Sequence, residues 1–106
     1  MRVTFQFNGE FHEDEQDLRN YATDKVSVAL KPSRRHVKEV MVSVNNTQHK
    51  SHERGKKCSV HLFIPGQYPI QVRKHADNIL SAISGAIQTA SYKSKIRTRQ
   101  REIFAA

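Results

Sequence analysis

The chain has 106 residues, a formal net charge of +8, 37% hydrophobic residues and one cysteine, Cys58. That length holds one modest core and not two. A lone cysteine excludes an internal disulfide and fits a reducing, cytoplasmic setting, and no run approaches the ~18 apolar residues of a membrane span.

The elements follow in chain order. Val3, Phe5 and Phe7 alternate with Thr4, Gln6 and Asn8, which predicts a half-buried strand, and Asn8-Gly9 a turn. The opening "MRVTFQFNGE" has neither the apolar core nor the cleavage site of a signal peptide. Acids then crowd into "HEDEQD", with Asp14 the expected N-cap of a helix whose positive dipole end they suit. Leu18, Tyr21, Ala22, Val26, Ala29 and Leu30 recur at helical spacing, and Pro32 ends the helix. Val40, Val42 and Val44 predict a second strand, and "NNTQHKSHERGKK" a loop. Cys58, Val60, Leu62 and Ile64 predict a third strand, Pro65-Gly66 a tight turn, and Tyr68, Ile70 and Val72 a fourth strand closing a hairpin. Asp77 is the expected N-cap of a second helix, whose core arc is Ala76, Ile79, Ile83, Ala86, Ile87 and Ala90. Gly85 inside it costs about 1 kcal/mol relative to Ala.

Two amphipathic helices must cover the one apolar sheet face. The predicted fold is therefore a single α+β domain over residues 1–106, a β-α-β-β-β-α two-layer sandwich with a four-stranded sheet and two helices on one face.

The charge is polarised along this order. Residues 1–30 carry a net −3 and residues 31–106 a net +11. A basic surface of this kind attracts nucleic acid by steering and counterion release. The segment "SYKSKIRTRQREIF" is ambiguous on its face, because Lys93, Lys95, Arg97, Arg99 and Arg101 alternate with neutral residues as in a strand. Continuing the preceding helix is the economical reading, since no proline or second cap intervenes. The core arc would then meet Ser94, Arg97 and Arg101, which cannot be buried unpaired without large cost. The helix is therefore expected to leave the sheet after about Tyr92, and residues 93–106 to form a basic helix extension or a tail. Lys93, Arg97 and Arg101 would form one row, with Lys95 and Arg99 nearly opposite, a rod suited to a cleft walled by phosphates.

Other constellations carry less. His49, His52, Cys58 and His61 have spacings that invite a zinc site, but Cys58 and His61 are an odd number of residues apart on a strand and point to opposite faces; no metal or other cofactor is expected. No spacing fixes an acid–base pair, and no nucleophile motif or phosphate loop is present, so no enzyme activity and no small-molecule substrate are expected. Phe5, Phe7 and Tyr68 fall on inward positions and read as core, which leaves Phe11, Phe63, Tyr92 and Phe104 as candidates for stacking on bases.

Several local patterns, in this register, resemble the ribosome hibernation promoting factors, also called ribosome-associated inhibitors or sigma-54 modulation proteins. "DLRNYATDKVSVAL" resembles that family's first helix, "VKEVMVSVNN" its second strand and "HADNILSAISGAIQ" its entry into the second helix, and the long basic helix end is similar too. Because the chain ends soon after that helix, the resemblance is to the short form. The resemblance implies a fold similar to a double-stranded-RNA-binding domain. It also implies binding to the small ribosomal subunit and its ribosomal RNA at the decoding region, across the A and P sites and the messenger channel. Translation would be inhibited by occupancy, and a ribosome-dimerising protein is a second candidate partner. By position, Arg19 and Lys25 on the first helix and Lys93, Lys95, Arg97, Arg99 and Arg101 on the second would face RNA. Arg34 and Arg35, with Lys31 and Lys38, add to that surface, as do Lys50, Arg54, Lys56 and Lys57 further on. The alternative is a general structured-RNA-binding protein acting off the ribosome.

Overall fold

The computed structural model describes residues 1–46 and 56–105, the last of these as backbone alone from residue 98. The elements are β1 (Arg2–Gly9), α1 (Glu15–Ala29), a 3-10 turn (Lys31–Ser33), β2 (Glu39–Asn46), β3 (Lys56–Phe63), β4 (Ile70–Ala76) and α2 (Ile79–Ala105). The sheet order is β1-β2-β3-β4. β1 lies parallel to β2, as a strand–helix–strand unit allows, and the other two pairings are antiparallel.

Period-2 alternation decides which face meets the helices. Val40, Val42, Val44, Cys58, Val60, Leu62, Ile70 and Val72 are all buried, and Leu18, Ala22 and Val26 of α1 and Ile79, Ile83 and Ile87 of α2 close over them. Burial of Cys58 without a charge partner pushes its thiol up to about 12, so it stays protonated core filling. His61, in register with Met41 and Gln71, sits on the opposite face from Cys58 as expected. His49 and His52 lie outside the described residues.

Asp14 caps α1, its Oδ1 accepting from the N–H of Gln16 at 2.8 Å and of Asp17 at 3.2 Å. Three expectations need correction. Ala76 ends β4, and the cap of α2 is Asn78, not Asp77: Asn78 Oδ1 accepts from Ser81 N–H at 2.7 Å. The helix pattern and the β4 pairing compete for Ala76, and the ladder partner Lys56 wins it for the strand. Phe5 and Phe7 do pack against the core, but they stay half-buried, because β1 is an edge strand that α1 covers only in part. Tyr68 is not core at all: β4 begins at Ile70, and Tyr68 stands on the turn, 89% exposed.

Gly9 is required by its backbone. Its φ is +100°, and a Cβ there would meet the Asn46 carbonyl oxygen at 2.3 Å. Gly85 has no such need. A Cβ at Gly85 would meet only Lys74 Cγ, at an ordinary 3.8 Å. Gly85→Ala is accordingly expected to raise stability by up to about 1 kcal/mol, read as a higher denaturant midpoint at unchanged m.

Candidate nucleic-acid interface

The strand register sorts the molecule into two ends. The N-terminal ends of β1 and β2 meet the C-terminal end of β3 and the start of β4 at one end of the sheet. The C-terminus of α1, the 3-10 turn and the far half of α2 gather there, while the acidic start of α1 lies at the other end. An eight-residue strand spans about 27 Å, whereas the 27-residue α2 spans about 40 Å. Helix α2 therefore has to overhang the sheet, and helical backbone continues to Ala105.

The point of departure is set by three serines. Ser91 Oγ donates to the Ala29 carbonyl at 2.6 Å, satisfying one of the acceptors that the end of α1 leaves open. Ser94 is fully buried and donates its hydroxyl to the Ser91 carbonyl at 2.8 Å. Its proton is thereby used, so in the 2.9 Å Ser33–Ser94 contact Ser33 is the donor. The helix thus stays docked through Ser94, one residue-pair further than the expected exit after Tyr92. Small hydroxyl side chains let the elements approach while keeping every hydroxyl paired. The overhang begins beyond them.

This junction brings part of the expected surface together. Arg34 and Arg35 follow Ser33 directly, and Lys93 and Lys95 flank Ser94; all four are exposed. Lys31 and Lys38 join them from the same connection, which leads into β2 at Glu39. Arg97 is also here, but it is partly buried and its guanidinium donates to the Tyr68 carbonyl, which ties the start of the overhang to the β3–β4 turn. Arg99 and Arg101 lie further along α2, and their side chains fall outside the described residues, as do Lys50 and Arg54.

Two expected residues lie elsewhere. Arg19 pairs with Glu15 at 2.9 Å and lies over the rings of Phe5 and Phe7, at 5.6 and 5.2 Å from their centroids. It covers the half-buried flank of β1 and is occupied there. Lys25 lies over Tyr21 at 5.5 Å and lines the outer groove between α1 and α2 with Val28, Ser84 and Gln88. Sequence reasoning did not find the serine contacts. Their signal was a polar pair, Ser91 and Ser94, three apart on the continued core arc. No cluster of three or more His, Cys, Asp or Glu side chains placed to hold a metal occurs among the described residues, nor does a helix long and apolar enough to cross a membrane.

Compared with solved structures, the chain superposes on a ribosomal subunit interface protein from Coxiella burnetii with a TM-score of 0.70 and 14% identity, covering 91% of this chain and 98% of that one. It superposes on the N-terminal domain of Protein Y from Thermus thermophilus with a TM-score of 0.67 and 13% identity, covering 90% and 97%. The fold of this chain is the fold of these proteins. No family model and no curated protein sequence matches the chain. The match extends over nearly the whole of each chain, so the two-layer arrangement is shared as a unit and not through one motif.

Proposed function

We propose that this chain is a ribosome-associated hibernation factor of the hibernation promoting factor family. In this reading it binds ribosomal RNA of the small subunit at the decoding region and inhibits translation by occupying the A and P sites and the messenger channel, without chemistry. The observation that carries the reading is the gathering of Arg34, Arg35, Lys93 and Lys95 about the Ser33–Ser94 contact, where a basic helix projects beyond the sheet. The fold shared with a ribosomal subunit interface protein supports it. Physically, cations on a projecting rod and on the adjoining connection can contact phosphates on two walls of a groove. Such contacts position a protein without reading sequence. A structured RNA surface, selected by shape, is the matching target. The reading places the protein in the cytoplasm and allows a ribosome-dimerising protein as a second partner.

Centrifugation with purified small subunits at moderate salt tests this. The protein is expected to pellet with the subunits and to be displaced by messenger plus P-site transfer RNA. Protein left in the supernatant that still binds free RNA would favour the alternative, a general structured-RNA-binding protein acting off the ribosome.

A further inference from the structure

The β3–β4 turn presents one large aromatic ring to solvent at the basic end. Ile64 anchors the turn in the core, and Gln67 N–H closes it on the Ile64 carbonyl at 3.1 Å. Gly66 supplies the φ of +78° that the bend needs. Tyr68 follows and precedes Pro69, which confines its backbone to the extended region. Its carbonyl is held by Arg97 from α2. The backbone is thus fixed from both sides, while the side chain is 89% exposed. Tyrosine has only two side-chain torsions to order on binding. A hydrophobic ring left so exposed on so constrained a turn has no packing role in the domain.

We propose that Tyr68 is a base-stacking residue that receives an unpaired RNA base beside the phosphate-binding cations. This rests on the reading above, that the basic end contacts RNA. Lys93 lies one helical turn before Arg97 on the same row of α2, so a strand with a phosphate on Lys93 runs past the turn that carries the ring. Every base has a face to stack, so the contact adds affinity with little sequence preference. It favours unpaired nucleotides over duplex, whose bases are already stacked.

The test compares wild type, Tyr68→Ala and Tyr68→Trp on a twelve-nucleotide oligoadenylate, a sixteen-base-pair RNA duplex and small subunits. Stacking contributes about 1–3 kcal/mol per base by alanine substitution. Tyr68→Ala is therefore expected to weaken oligoadenylate binding by roughly 5- to 150-fold. Duplex affinity and the salt slope should be unchanged, because no phosphate contact is lost, and Tyr68→Trp should bind as tightly as wild type or more so. Wild-type-like affinity of Tyr68→Ala for oligoadenylate, with subunit binding intact, overturns the stacking role and leaves the ribosomal reading standing. An equal loss on duplex also overturns it. Wild-type protein that binds none of the three probes overturns both. Unchanged circular dichroism and melting of the exposed-site variants exclude a folding effect.

Discussion

Neutralising Arg34, Arg35, Lys93 and Lys95 together, each to Gln, is expected to lower the affinity for small subunits by roughly three orders of magnitude at about 0.1 M salt. The estimate follows from counterion release. Each phosphate contact contributes about 0.7–0.9 to the slope of log K against log salt, hence about 0.7–0.9 decades at that concentration. Four contacts should also flatten the slope by about 3. All four side chains are exposed, so the fold should be unaffected. Binding isotherms at several salt concentrations are the measurement. Wild-type affinity and slope would mean that this end does not meet RNA. Arg97 is a poorer choice for the experiment, because its bond to the Tyr68 carbonyl mixes a structural effect with the electrostatic one.

Ile83→Ala is expected to destabilise the domain by about 2–5 kcal/mol, the cost of removing a fully buried branched side chain and leaving part of its volume empty. Ile83 has 0% exposure and lies on the face of α2 that packs against β3 and β4. Total stability for a domain this size is about 5–15 kcal/mol, so the loss removes a large fraction of it. Urea unfolding should show a lower midpoint at similar m. Ile96→Ala is the control: Ile96 is 40% exposed on the overhang and should cost less than about 0.5 kcal/mol. A loss at Ile83 no larger than at Ile96 would mean that α2 does not complete the core.

The two predictions draw on different parts of the chain, and the sequence exposed them unequally. Ile83 was legible. It sits on an arc with Ile79, Ala86, Ile87 and Ala90, and such an arc has one use in a domain this small. The alternating apolar residues of β2 and β3 were legible for the same reason, as was the Asp14 cap. Each is a local pattern whose period matches the element it forms. The positive end was legible only as composition. Which of the cations share a surface depends on where a helix end, a connection and a sheet edge meet.

Arg19 shows this most clearly. From its position it was one more cation on α1, yet it turns over Phe5 and Phe7 because the outer strand leaves those rings half covered. Tyr68 shows the converse. Alternation with Ile70 and Val72 placed it inward, but the strand begins two residues later, so the alternation had no sheet beneath it. Ser94 was read as a residue the core could not take, and it is buried because Ser33, sixty-one positions earlier, supplies a partner. The sequence by itself determined the element order, the core and the sign of the charge, since these follow from periodicity and composition. Only the tertiary structure decided where α2 leaves the sheet, which cations stand together and that the Tyr68 ring faces outward. Those properties depend on partners distant in the chain, whose hydrogen bonds and coverage no local pattern encodes.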